Sequence, residues 1–187
     1  GNVVDDEEPF YFSKMLHSVL GSAEVLPYPP NTQNFHHEIE FVVALGQPAF
    51  QIDAEDAMEA VFGYACGLDM TRRDLQARAK SRNRPWLLGK DAEGSAVLGP
   101  LTPVAQFGEI GGQEITLTVN DELRQQGTLS DLVFPVPRII AHLSHYYHLG
   151  PGDIVMTGTP SGVGPVISGD RLEGRVAGLS PVTVSIA

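Results

Sequence analysis

Glycine and proline interrupt this chain so often that long helices have little room between them. The 187 residues contain 20 Gly and 14 Pro, spread throughout. Glycine loses much conformational freedom inside an element, and proline lacks the donor that a helix interior or a central strand needs. Such punctuation favours many short strands with a few helices over a helical bundle. The length is enough for one domain with a sizeable core and does not require two. We therefore read residues 1–187 as a single domain, α+β and β-rich, with mostly antiparallel or mixed strands and peripheral helices.

Local patterns place the elements. Residues 9–14 read as a short strand ending in Lys14, and Pro27, Pro29 and Pro30 as an irregular connection. A strand over 36–46 stops at Gly46 and Pro48. Asp53 can cap a helix with Glu55 and Asp56 in its first turn, where the helix dipole favours acids. Ala57, Ala60 and Val61 give that helix an apolar face, and Gly63 ends it. Tyr64 to Leu68 reads as a buried strand. Thr71 can cap a helix over roughly 72–81, with Leu75 and Ala79 inward. Pro100 to Val104 reads as a strand. Ile115, Leu117 and Val119 alternate with Thr116 and Thr118, a half-buried strand, and Asn120-Asp121 suits a tight turn. A helix over 136–148 places Ile139, Ile140, Leu143 and Tyr146 or Tyr147 on one face before Gly150-Pro151. Strands over 153–157, 171–176 and 181–186 follow.

Charge and cysteine usage exclude several functions. A formal net charge of −11 argues against nucleic acid, which needs clustered Lys and Arg. A small anionic substrate needs only local positive charge. The single cysteine, Cys66, rules out an internal disulfide framework and sits in an apolar run, as a buried small residue would. No apolar run approaches the ~20 residues of a membrane span, and no secretory signal is visible, so the cytoplasm is the default compartment.

The chemistry concentrates around His36-His37-Glu38-Ile39-Glu40-Phe41. In an extended strand, side chains alternate faces, so Glu38 and Glu40 project together while Ile39 and Phe41 face a core. Adjacent carboxylates repel and raise each other's pKa, and a hard divalent cation removes the conflict. Asp69, Arg73 and Gln76 are spaced i, i+4 and i+7, so a helix starting near 70 puts them on one side. A cation ligand, a guanidinium and an amide there suit an anionic substrate bridged to a metal. A solvated face with an Asp69–Arg73 ion pair is the alternative. Lys90, after Trp86-Leu87-Leu88-Gly89, is an inward electrophile or proton donor, or else a turn lysine. The loop Thr157-Gly158-Thr159-Pro160-Ser161-Gly162-Val163-Gly164 can offer amides and a hydroxyl to an anion. It has neither the P-loop lysine nor the strand–glycine–helix order of a dinucleotide site. His142, His145 and His148 lie off the apolar stripe, as on a solvated helix face. His36 shares the glutamate face, as a fourth ligand or a structural neighbour.

Together, several motifs resemble the fumarylacetoacetate hydrolase family in order and spacing. They are His-His-Glu-Ile-Glu (36–40), the run from Gly63 to Gln76, Arg-Pro-Trp (84–86), Gly-Lys (89–90), Leu-Arg-Gln (123–125), Pro-Gly-Asp-Ile (151–154) and the 157–164 loop. Within the family the resemblance is to small acylpyruvate hydrolases of the fumarylpyruvate hydrolase type. It implies a mixed β-roll, usually a homodimer, with Mg2+ or Mn2+ held by Glu38, Glu40 and Asp69. It implies that Lys14, Arg73, Gln76 and Thr159 contact a small anionic keto acid, and that Lys90 is catalytic, stabilising the pyruvate enolate released when the C–C bond breaks. Fumarylpyruvate would give fumarate and pyruvate, a step of aromatic catabolism. Oxaloacetate decarboxylation or keto-acid isomerisation on the same scaffold is the runner-up, and a non-catalytic keto-acid binder the third reading. Met15 stands where the family has proline after its lysine, Asp91-Ala92 replaces a Ser-Phe, and Asp121 a turn glycine. The family carries its water-activating His and a nearby Glu just ahead of the position of Gly1. The resemblance thus implies a base outside these residues, with His17 wrongly placed to replace it.

Overall fold

The structure is a computed structural model and describes residues 8–187. In chain order the first strands are β1 (Val19–Gly21), β2 (Val25–Leu26), β3 (Phe35–His37) and β4 (Ile39–Leu45). β5 (Val61–Asp69) and β6 (Thr71–Arg72) lead into helices α1 (Arg73–Ser81) and α2 (Leu87–Lys90). Next come β7 (Ala96–Leu98), β8 (Thr102–Pro103), α3 (Val104–Phe107), β9 (Glu114–Val119), β10 (Glu122–Thr128) and α4 (Val136–Ser144). β11 (Ile154–Met156), β12 (Gly164–Val166), β13 (Arg171–Val176) and β14 (Val182–Ile186) follow. The strands form three sheets. One runs β1-β7-β5-β4-β11 with β8 also on β5, the second β10-β9-β13-β14-β2, and the third β12-β3-β6. β1–β7 and β14–β2 are parallel, whereas β4–β5 and β9–β10 are antiparallel. The fold is therefore the β-rich, mixed α+β architecture that the punctuation implied.

The core lies between the first two sheets. Every residue of β4 is buried. Ile39 Cδ1 presses so closely on Gly174 of β13 that a Cβ there would come within 2.3 Å. Phe41 stacks on Tyr64 at 5.0 Å, and Phe107 packs edge-on to Tyr64 at 5.0 Å. Leu117, Leu172, Val182 and Val184 close the opposite side. Each such side chain contributes about 1.5–3 kcal/mol on leaving water.

The chain changes sheets at one level twice, and this positions the site. The expected 36–46 strand is interrupted at Glu38: β3 before it pairs with β6 and β12, and β4 after it pairs with β5 and β11. β5 likewise ends at Asp69, one residue before β6 begins. The Asp69 N–H donates to the Glu38 carbonyl at 2.8 Å across this junction.

Several local expectations give way to tertiary pairing. Residues 9–14 join no ladder; Phe10 and Phe12 instead pack on Trp86. The helix expected after Asp53 shrinks to a 3-10 turn over Ala57–Ala60, because Val61 and Gly63 enter β5. Thr71 is a strand residue rather than a cap; α1 begins at Arg73 and buries Gln76, leaving Leu75 and Ala79 half-buried. The 100–104 strand reduces to Thr102–Pro103, with Val104 starting α3. α4 stops at Ser144, whose hydroxyl donates to Ala141 O and accepts from Ile52 N, and both Tyr146 and Tyr147 are exposed. The Asn120-Asp121 turn joins β9 to β10 with both residues in the left-handed region, at φ 51° and 66°.

Candidate metal centre and active site

Three carboxylates meet at the sheet junction. Glu38 comes from the β3–β4 break, Glu40 from β4 and Asp69 from the end of β5, and all three are buried. One oxygen from each lies within 4.8 Å of the others. Glu38 and Glu40 share a face as their alternation implied, and β5 supplies the third acid by pairing antiparallel with β4. Among the described residues this is the group able to hold a metal ion. His36 stands apart from it, with Nε2 on Asn34 Oδ1 at 2.8 Å and Nδ1 facing the Arg73 guanidinium.

Two lysines enter the same space. Lys90 is buried, and its Nζ donates to Glu38 Oε2 at 2.7 Å, Asp69 Oδ2 at 2.6 Å and Thr71 Oγ1 at 2.8 Å. It reaches there because Gly89 lets α2 pack directly on α1: a Cβ at Gly89 would come 2.9 Å from the Gln76 backbone nitrogen. Lys14 Nζ lies 2.8 Å from Asp69 Oδ1 and donates to Ser95 Oγ at 2.7 Å and to the Lys90 carbonyl. Beyond this ion pair, Asp69 Oδ1 is a buried oxygen with no hydrogen-bond partner.

The charges settle accordingly. Burial disfavours ionised Asp69, but Lys14 and Lys90 outweigh it and hold its pKa below the usual carboxylate range. Burial also works against charged Lys90, yet Asp69 and Glu38 outweigh it and raise its pKa. For Lys14 burial prevails and the pKa is lowered despite Asp69. Among the described residues no ammonium pairs with Glu40. Burial, then the Asp69 and Glu38 charges, push its pKa well above normal, against the Gly158 N–H that donates to Oε2 at 2.5 Å.

An all-oxygen set of three buried carboxylates, one oxygen of which has no partner beyond the Lys14 ion pair, fits a hard divalent cation such as Mg2+ or Mn2+. Such an ion would relieve the acid–acid repulsion felt by Glu40.

The helix face expected at 69–76 is present in altered form. Arg73 turns to Glu38 rather than Asp69: its Nη2 pairs with Glu38 Oε1, while Nη1 donates to Gln76 Oε1 at 2.6 Å. The guanidinium and amide are thus bonded to each other beside the carboxylates. Thr159 sits on the loop whose Gly158 amide binds Glu40, and its hydroxyl accepts from Gln125 Nε2 at 2.8 Å. His17 points elsewhere, 3.6 Å from Asp91 Oδ1. His148 is exposed and stacks on Phe50 at 3.6 Å between centroids. Cys66 is buried in the core, and desolvation pushes its thiol to about 12.

The sequence pattern missed Thr71, Gln125 and Phe12. Local pattern makes Thr71 a helix cap, whereas its hydroxyl accepts from Lys90. Phe12 places its ring 4.8 Å from Lys90 Nζ, and nothing in its spacing signals that. Gln125 ends the Leu-Arg-Gln run at 123–125, and no periodicity turns it inward.

The family pattern described as fumarylacetoacetate (FAA) hydrolase C-terminal matches residues 2–187. The chain belongs to this family. One relative, the fumarylpyruvate hydrolase of Ralstonia sp, is 43% identical over 180 residues, covering 96% of this chain and 93% of its own. The oxaloacetate tautomerase of Escherichia coli (strain K12) is 38% identical over 167 residues, covering 89% of this chain and 76% of its own. A family structure, fumarylpyruvate hydrolase from Pseudomonas aeruginosa in complex with Mn2+ and pyruvate, superposes with a TM-score of 0.94 at 42% identity. It covers 97% of this chain and 80% of that one. The β-roll architecture implied by the motifs is thus the family's fold.

Proposed function

We propose that this protein hydrolyses the C–C bond of an acylpyruvate with the help of a divalent metal, converting fumarylpyruvate to fumarate and pyruvate. The observation that carries the reading is the buried Glu38–Glu40–Asp69 group with the Lys90 ammonium set against it. The Ralstonia and Pseudomonas fumarylpyruvate hydrolases support the substrate class. The 38% identity to an oxaloacetate tautomerase supports a second reading, a keto-acid isomerase; a decarboxylase on the same scaffold is its variant, since both pass through an enolate.

In this proposal Glu38, Glu40 and Asp69 hold Mg2+ or Mn2+, which when bound supplies Lewis-acid stabilisation of negative oxygen. Arg73, kept in place by Glu38 and Gln76, receives the substrate carboxylate. Its planar fork pairs with two oxygens at once. Lys90, held cationic by its two acids, lies where negative charge develops as the enolate leaves. Lys14 fixes Asp69 and faces the same substrate, and the Thr159 hydroxyl donates to the acyl end. We further propose a single catalytic domain working as a cytoplasmic homodimer in aromatic catabolism. No helix among the described residues is long and apolar enough to cross a membrane.

The test follows pyruvate release from fumarylpyruvate, acetylpyruvate and oxaloacetate, and keto–enol interconversion of oxaloacetate, by the full-length protein with Mg2+ or Mn2+. Fumarylpyruvate should turn over fastest and chelation should stop it. Preferred turnover of oxaloacetate overturns the hydrolase reading, and binding without turnover of any of the three leaves a keto-acid binder. Glu40→Ala and Asp69→Ala should each abolish Mn2+ binding by calorimetry; full activity in either variant overturns the three-carboxylate centre.

A further inference from the structure

The chemistry proposed above assigns no task to Gln125, although its side chain is among the most buried in the protein, at 1% exposure. Plain strand alternation would put Leu123 and Gln125 on the same face. The β9–β10 ladder instead pairs Leu123 with Thr118 and Gln125 with Leu117, so Arg124 is an extra, bulged residue. The bulge turns Leu123 out, to 56% exposure, and aims Gln125 at the core. A buried amide is costly unless its hydrogen bonds are made.

They are all made, and they bridge the two halves of the site. Gln125 Oε1 accepts from the Ile39 N–H at 3.0 Å and from His37 Nδ1 at 2.9 Å. Its Nε2 donates to Thr159 Oγ1 at 2.8 Å and to the Pro160 carbonyl at 2.9 Å. A backbone N–H only donates and a carbonyl only accepts, so these two neighbours fix which way the amide points. His37 must then carry a proton on Nδ1. Ile39 lies between Glu38 and Glu40, and Thr159 and Pro160 lie on the loop that also binds Glu40 through Gly158. The bulge seats that loop a second time. Gly162, at φ 98°, lies so close that a Cβ would be 2.1 Å from the Arg124 carbonyl.

We propose that Gln125 is a positioning residue that sets both the place and the polarity of Thr159. Because Thr159 Oγ1 accepts from Gln125, its own O–H proton is left to donate toward an anionic substrate. The amide couples the loop to the β3–β4 segment bearing Glu38 and Glu40, so the donor stands at a set distance from the carboxylates. The inference rests on Thr159 being a substrate contact, as proposed above.

A double-mutant cycle on the complete, Mn2+-loaded protein tests it, with fumarylpyruvate as substrate. Gln125→Glu keeps the acceptor toward Ile39 and His37 but replaces the donor facing Thr159 with a second acceptor. It should raise KM about tenfold, the scale of one hydrogen bond to a charged group, while Mn2+ affinity and kcat change little. Thr159→Val should do the same, and the double variant should be no worse than Thr159→Val alone. If the two effects multiply, or Gln125→Glu leaves KM unchanged, the positioning role is overturned while the Thr159 contact stands. If Thr159→Val leaves KM unchanged, both fall. Should Gln125→Glu fail to fold, the uncharged Gln125→Met enters the same cycle with the same outcomes.

Discussion

Lys90 Nζ stands 2.6 Å from Asp69 Oδ2, with both groups sealed from solvent. A buried ammonium survives there because the Asp69 and Glu38 carboxylates compensate its lost hydration, and Asp69 stays ionised because Lys14 and Lys90 stand beside it.

Lys90→Met should therefore act on stability and turnover in different ways. Removing one partner from a buried ionic cluster costs several kcal/mol when nothing replaces it; Lys14 and Arg73 remain, so we expect about 2 kcal/mol in metal-free protein. Mn2+ should recover more melting temperature in the variant than in the parent, because the cation fills the vacated charge. Turnover should still fall by about 10²–10³, the usual cost of an electrostatic donor at a reacting oxygen. Near-normal turnover by pyruvate assay removes Lys90 from the catalytic role.

Arg73→Lys should raise KM by about tenfold while the fold persists. Arg73 spans Glu38 Oε1 and Gln76 Oε1 at once, and a single ammonium cannot reproduce that fork. Steady-state kinetics on a keto acid reads the change; an unaltered KM argues that the guanidinium only neutralises Glu38.

Gly162→Ala should destabilise the protein by about 1–3 kcal/mol, since it combines a strained positive φ with a backbone clash. Urea unfolding measures this. A change within about 0.5 kcal/mol would mean that the loop moves freely off the Arg124 bulge.

Cys66 should resist thiol reagents in native protein at pH 8 and react fully in denaturant. Burial raises its pKa from 9.0 to about 12, so the folded state holds the thiol while the unfolded state ionises first. The sign follows: this group costs stability as pH climbs above about 9, and it is neutral below. Rapid native labelling by a thiol reagent would contradict the burial of Cys66.

Much of the site was legible from short-range pattern. Alternation put Glu38 and Glu40 together, because a strand's period is the same wherever the strand lies. The β9 strand, the Asn120-Asp121 turn and the final two strands were equally readable, since each depends on neighbours a few positions away. Asp69, Arg73, Gln76 and Lys90 came forward as chemistry-bearing residue types, and the motifs that join them named the family. Their partnerships were another matter. Spacing put Asp69, Arg73 and Gln76 on one helix side, with an Asp69–Arg73 pair as the alternative; in the structure Asp69 ends β5, its charge is taken by two lysines from distant segments, and Arg73 pairs with Glu38.

The sequence alone determined the residue inventory, the strand-rich character and the acids that share a face, all of which follow from local sterics and periodicity. Only the tertiary structure decided where strands switch sheets, which base pairs with which acid, and that a single bulged residue turns Gln125 into the core. Those outcomes depend on contacts between segments far apart in sequence, as in Lys90–Asp69 and Thr157–Phe41, 21 and 116 positions apart. Burial then sets the energy of each pairing, so a charge or an amide settles where its last hydrogen bond can be made.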